Sequence, residues 1–272
     1  MNDDRPTIEV AGAPGGWPAP WPSLAELADV LPDESWTLVG GLMTQLHTVH
    51  HGLGIVRPTN DVDIVLHIET RRGVPNAVAT ALEATGYRFQ PSIDEHNKTA
   101  HRFVRGSSTV DLVASAAEDQ VDVLIADHPA PRVIEKLRGH DMIRMEGGTQ
   151  ALRRTVDARL EIVPAANATT ISVPRPFGAV ILKAAAYFTN SRDRARHLFD
   201  ATALLACIDD PFAERTTLTG SDSRRIATLA RNLPMEHPAW RALPEDHRTQ
   251  AQLTLDLLAS PDSDSATGGT SL

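Results

Sequence analysis

Two carboxylates stand two residues apart in Asn60-Asp61-Val62-Asp63-Ile64-Val65-Leu66. Strand side chains alternate, so Asp61, Asp63, Val65 and His67 share one face and Val62, Ile64, Leu66 and Ile68 the other. Carboxylates at i and i+2 from one strand end can share hard divalent cations, and Mg²⁺ prefers oxygen ligands together with substrate phosphates. Upstream, Gly40-Gly41 separates the β-prone run Trp36–Val39 from a helically spaced stretch, Leu42–Val49. A glycine turn at a helix start offers backbone N–H groups and the positive helix end to a phosphate. Each motif alone is common. In this order, with Arg57-Pro58-Thr59 leading into the carboxylates, they describe a site for a metal-bound nucleoside triphosphate.

A strand–glycine turn–helix–loop–strand unit must position these groups. With this order the stretch resembles the nucleotidyltransferase superfamily that includes DNA polymerase β, whose pattern is a glycine pair, Asp-x-Asp and a later third carboxylate. More narrowly, Gly40-Gly41, the histidines after it and Arg57-Pro58-Thr59-x-Asp61-x-Asp63-Ile64 are similar to the AbiEii/MenT-type toxin nucleotidyltransferases. Residues 42–60 are longer than in compact members of the superfamily. The resemblance spans roughly residues 36–208.

The resemblance implies a third metal ligand on a neighbouring strand. Asp111, a lone carboxylate in the apolar run Thr109–Ala114, is the candidate, in a predicted hairpin of His101–Val104 and Ser108–Ala114 about Gly106. It also implies a lysine on one helix and an aspartate on the next closing the nucleotide cleft. Lys183, which interrupts a very apolar helix, matches the first and Asp200 the second. Asp193, His197 and Asp200 share one helical face, and Arg192, Arg194 and Arg196 supply cations nearby. The expected metal ligands are Asp61, Asp63 and Asp111. Gly40, Gly41 and Lys183 are expected to hold phosphates, with Thr44 and Arg57 as weaker candidates. The implied cofactors are two Mg²⁺ ions, with a nucleoside triphosphate as substrate.

A competing constellation is His47, His50 and His51, whose spacing could present imidazoles to zinc from one helical face, but no fourth ligand follows at suitable spacing. Val121–Ile125 and Val156–Val163 read as further strands. The second glycine pair, Gly147-Gly148, has no Asp-x-Asp partner and reads as a turn. There is no Walker P-loop and no Gly-x-Ser-x-Gly elbow.

The chain has 272 residues, enough for one large or two small domains. The fold class expected is α+β: a mixed sheet flanked by helices, then a C-terminal helical domain. The predicted division is a flexible Pro- and Gly-rich arm at 1–22, a catalytic domain at 23–174, a helical domain at 175–259 and a disordered tail at 260–272. Ser23 and Glu26 form a capping-box signature for the first helix, Gly86 closes a helix over 73–85, and Tyr87–Gln90 is a strand. Trp17 and Trp21 can dock the arm on the body. No run of 18 apolar residues or signal-like N-terminus is present, so the expected location is the cytoplasm. The lone Cys207 sits in an apolar helix and excludes an internal disulfide.

The net charge of −9 argues against a general nucleic-acid-binding protein. It leaves room for a local basic patch, with candidates Arg132, Lys136 and Arg138; Arg153-Arg154; Arg192, Arg194 and Arg196; and Arg224-Arg225. The resemblance implies nucleotide addition to the 3′ end of tRNA and a cognate antitoxin partner. The alternatives are transfer to a small molecule or protein side chain, and a non-catalytic nucleotide- or partner-binding module.

Overall fold

In the computed structural model, the described residues are 5–13, 15–32, 34–91, 98–106, 119–128, 133–163, 168–189 and 193–260. In chain order the elements are β1 (Thr7–Val10), α1 (Trp21–Val30), β2 (Trp36–Val39), α2 (Gly40–His50), β3 (Asp61–Leu66), α3 (Val74–Ala84), β4 (Arg88–Gln90), β5 (Arg102–Arg105) and β6 (Asp119–Ala126). There follow β7 (Lys136–Leu137), β8 (His140–Asp141), β9 (Arg144–Met145), α4 (Gly148–Leu152), β10 (Thr155–Leu160) and β11 (Thr169–Pro174). The last part is α5 (Pro176–Thr189), α6 (Arg194–Leu205), α7 (Pro211–Thr216), α8 (Asp222–Asn232), a 3₁₀ turn (Pro238–Ala242) and α9 (Glu245–Ala259). The architecture is α+β, as the residue patterns predict.

The larger sheet runs β2-β3-β6-β5-β4, with β9 also paired to β6. β3 and β6 are parallel, and Asp63 lies opposite Asp122. β5 joins β6 antiparallel with Arg102 opposite Asp122. The alternation expected in β3 holds: Val62, Ile64 and Leu66 are buried on the core face. Phe103 of β5 and Val121 and Val123 of β6 are buried as well. The other face carries the carboxylates. The partner of β5 is thus β6; the segment Ser108–Ala114, expected as the second arm of a hairpin, lies outside the described residues, and Asp111 with it.

Three local expectations change. The N-terminal arm joins the body: β1 pairs in parallel with β10, from Thr7 opposite Asp157 to Val10 opposite Leu160. Trp21 is fully buried and donates its indole N–H to Gln45 Oε1 at 2.8 Å. The capping box does not form, because α1 starts at Trp21 and makes no side-chain cap. Ser23 is buried inside the helix, and Glu26 pairs with Arg105 at 2.7 Å. Gly147-Gly148 is more than a turn: it starts α4, and the Asp127 carboxylate accepts from the N–H groups of Gly147 (2.9 Å) and Thr149 (3.0 Å). This satisfies two of the donors that a helix start leaves without partners. Other expectations hold. Gly86 follows α3 with φ +89°, the left-handed cap geometry that favours glycine.

Beyond Pro174 every element among the described residues is helical. The hydrophobic core nevertheless runs unbroken from Val10 to Leu258. Residue 174 marks a change of element type. Among the described residues no helix is long and apolar enough to cross a membrane.

Candidate active site

The site begins with backbone geometry. Gly40 closes β2 and opens α2 with φ +71°, in the left-handed region that side chains avoid. A Cβ there would fall 1.8 Å from Asp63 Oδ2. A Cβ on Gly41 would fall 2.6 Å from the Thr59 hydroxyl. The glycine pair is thus the surface against which the Asp-x-Asp strand packs. Thr59 in turn donates a short hydrogen bond to Asp61 Oδ1. Motif and turn interlock, which is why the sequence needs both.

Asp61, Asp63 and Asp122 each offer an oxygen, and these three oxygens lie within 4.8 Å of one another. Burial, with the charges of Asp61 and Asp122 added, pushes the Asp63 carboxyl up to about 7, against the pull of Lys183 and Arg196. Such crowding is costly for a bare protein and suits a bound cation. Arg102 opposes it from the far side. Its Nε and Nη2 donate to the two Asp122 oxygens, each at 3.0 Å, and Gln120 Nε2 adds a third bond at 3.2 Å.

On the helical side, Lys183 is buried and donates to the Gly40 carbonyl (2.9 Å) and to Asp200 Oδ2 (2.7 Å). Arg57 donates from Nε and Nη2 to both Asp200 oxygens, at 3.1 and 3.2 Å. Burial alone would raise the Asp200 carboxyl; Lys183 and Arg57 outweigh it and hold the group below the ordinary range. Asp200 thereby ties the loop before β3, the glycine turn and both helices α5 and α6 into one cluster.

These groups line one cleft of about 640 Å³, within the range of ligand pockets. Its floor holds Gly40, Gly41 and the three carboxylates, and its helical wall holds Lys183, Arg196, His197 and Asp200. Met43, Leu124, Ile143, Met145 and Leu182 make an apolar stretch beside them. His197 is buried with both ring nitrogens unpartnered among the described residues, and burial followed by the charges of Lys183 and Arg196 pushes its imidazole down to about 4.

The structure thus brings together Gly40, Gly41, Arg57, Asp61, Asp63, Lys183 and Asp200, seven residues that the sequence singled out. Thr44 sits apart, buried under the turn with its hydroxyl on the Gly40 carbonyl at 3.3 Å. The third carboxylate in the described cluster is Asp122, which sequence reasoning missed. Its signal was available: Val121-Asp122-Val123 is a lone carboxylate in an apolar strand, the same pattern that pointed to Asp111. The histidines do not converge on a metal. His47 Nε2–H donates to the Pro174 carbonyl at 2.7 Å, and His51 Nδ1–H to the His47 carbonyl at 2.8 Å.

A family model for the nucleotidyl transferase AbiEii toxin of type IV toxin–antitoxin systems matches residues 23–266. The chain belongs to the AbiEii nucleotidyltransferase toxin family. Searches of curated proteins and of solved structures return no significant match. The match to AbiEii extends well past residue 208, where the motif resemblance ends, and takes in α7 to α9. In this AbiEii chain most of the basic groups expected at an RNA surface have structural duties. Arg154 is buried on Asp222 at 2.8 Å, Arg225 is buried near Asp127, and Lys136 and Arg138 pair with Asp141 and Glu83. Arg196 alone of those candidates, among the described residues, lines the cleft. Arg132 and Arg192 lie outside the described residues.

Proposed function

We propose that this chain transfers a nucleotide from a nucleoside triphosphate to an acceptor hydroxyl, with the 3′ end of tRNA as the acceptor. The observation that carries the reading is the convergence of Asp61, Asp63 and Asp122 beside the glycine turn, opposite Lys183. The three carboxylates fit divalent cations: their oxygens are close and charged alike, and they are hard ligands suited to Mg²⁺. Asp61, Asp63 and Asp122 would hold the ions, Asp122 taking the role first expected of Asp111. When bound, two Mg²⁺ ions would stabilise the attacking and leaving oxygens as the acceptor oxygen bonds to the α-phosphorus and the bond to pyrophosphate, the leaving group, breaks.

The protein's own groups do the rest. Gly40 and Gly41 let the phosphate chain approach the start of α2, where backbone N–H groups and the helix end favour negative charge. Lys183 and Arg196 bring positive charge to the same wall. The Lys183–Asp200–Arg57 cluster fixes the Gly40 carbonyl, so the turn keeps its shape when the ligand leaves. The setting of this reading is the cytoplasm, with a cognate antitoxin as partner.

The test is incubation with each labelled triphosphate, Mg²⁺ and total tRNA, with RNA and protein products resolved on one gel. Labelled tRNA that vanishes in Asp63→Asn supports the reading. Label on protein, or on a small molecule alone, replaces the acceptor.

A further inference from the structure

The face of the sheet that carries the carboxylates does not end at them. Strand register places Asp63, Asp122, Arg102 and Gln90 in one row across β3, β6, β5 and β4. Directly paired residues project to the same face, so this row is continuous. One step along, Asp61, Gln120, Val104 and Arg88 form a parallel row. The opposite face is the core: Phe89 and Phe103 pack there with ring centroids 5.2 Å apart.

Beyond Asp122 the described residues of the carboxylate face are open to solvent. Arg88 and Gln90 are exposed, and Arg102, Val104 and Gln120 are half-exposed. Across β5 and β4 the two rows hold the guanidiniums of Arg102 and Arg88, the Gln90 amide and Val104, and no carboxylate. On a chain of net charge −9 this is a segregated patch. Arg102 is engaged by Asp122, whereas Arg88 has no hydrogen bond or ion pair among the described residues. The patch meets the cleft at Asp122, the side opposite to the glycine turn and Lys183.

We infer that this half-sheet, β5 and β4 with Arg88 at its edge, is the seat of the acceptor: a single-stranded 3′ end of RNA lying along the sheet, its terminal hydroxyl at Asp122 and its preceding phosphates on Arg102 and Arg88. The inference rests on the transferase reading above and adds where the acceptor lies. Charge complementarity selects a polyanion: Arg88 is free to take a phosphate, and Arg102, held in place by Asp122, presents the remaining edge of its guanidinium beside it. Continuity with the carboxylates selects an end over an internal segment. The site is the reverse of the expectation from basic dipeptides: it uses isolated arginines brought together by register, and leaves out Arg153-Arg154.

The test measures binding without turnover. A 5′-labelled single-stranded RNA, and separately total tRNA, is titrated with wild type, Arg88→Gln, Arg88→Glu and the off-site control Arg153→Glu, each checked by circular dichroism. Arg88→Glu is expected to weaken binding about tenfold. Arg88→Gln should lower the slope of log affinity against log salt by roughly 0.7, the share of one single-strand phosphate contact. Affinity for the triphosphate should not change. Unaltered RNA affinity in Arg88→Glu, or an equal loss in Arg153→Glu, overturns the inference. So does a wild type that labels protein or a small molecule yet binds no RNA at low salt. RNA affinity that depends on Arg88 in a protein with no transferase activity would keep the surface and sink the transferase reading instead.

Discussion

Asp63 and Gly40 are a single unit. The carboxylate fills the space where a Cβ would be, so Gly40→Ala must displace the Asp-x-Asp strand as well as strain the backbone. We expect it to cost about 1–3 kcal/mol in urea denaturation, the range for a forced left-handed residue, and to remove transfer. Asp122→Asn is expected to lower transfer by roughly 10²–10³-fold, the size found when one preorganised electrostatic group is removed, with the melting temperature retained. Asp111→Asn, assayed beside it, decides between the two candidates for the third ligand: activity near wild type there, with loss in Asp122→Asn, is the expected outcome. The reverse pattern would restore Asp111. His47 gives a pH prediction remote from the cleft. Burial holds its imidazole at about 4, below the ordinary 6.5, so the folded protein keeps it neutral. A lowered value means stability that is present above pH 6.5 and is lost as pH falls toward 4. The loss is on the order of 3 kcal/mol for His47. Denaturation midpoints at pH 7 and pH 4.5 should differ less in His47→Gln than in wild type.

Between α5 and α6 the decisive contact is Asp200 with Lys183 and Arg57. Asp200 and Lys183 are both buried, and removing one partner strands the other's charge. Asp200→Ala should destabilise the protein by about 3–5 kcal/mol, whereas Lys183→Met with Asp200→Leu should recover part of that loss. A triphosphate affinity equal to wild type in Lys183→Met would assign the lysine to structure alone. The readable parts of these elements were those whose signals are local. Gly-Gly, Asp-x-Asp and a lysine in an apolar helix each announce themselves within a few residues. Asp122 did not, because Val110-Asp111-Leu112 and Val121-Asp122-Val123 look alike in sequence, and the pairing of β6 with β3 that sets Asp122 beside Asp63 is a long-range contact. β1 was hidden for the same reason: four residues in a Pro- and Gly-rich stretch become a strand only against β10, about 150 positions later. The capping box failed because α1 starts two residues earlier, at Trp21, which leaves Ser23 inside the helix and Glu26 free to pair with Arg105, far along the chain.

At the level of the whole protein, the cleft has a sheet floor and a helical wall that share one hydrophobic core. A ligand that bridges them stabilises the entire fold rather than one half. Mg²⁺ with the cognate triphosphate at 100 times its dissociation constant should stabilise by about 2.7 kcal/mol, read as one cooperative thermal transition moved upward. Chelation should return the transition to its starting point and abolish transfer. Two separate transitions, only one of them moved by ligand, would show that the division at residue 174 is a thermodynamic boundary after all.

The order of the chain also sets a schedule. Asp61, Asp63 and Asp122 are complete once β6 has been made, yet Lys183 and Asp200 come from helices translated later. β1, made before them, waits for β10, its partner among the described residues. A ribosome therefore releases the acidic half of the cleft long before the half that carries Lys183 and Arg196. The cleft is therefore complete only when the helical part has emerged and folded.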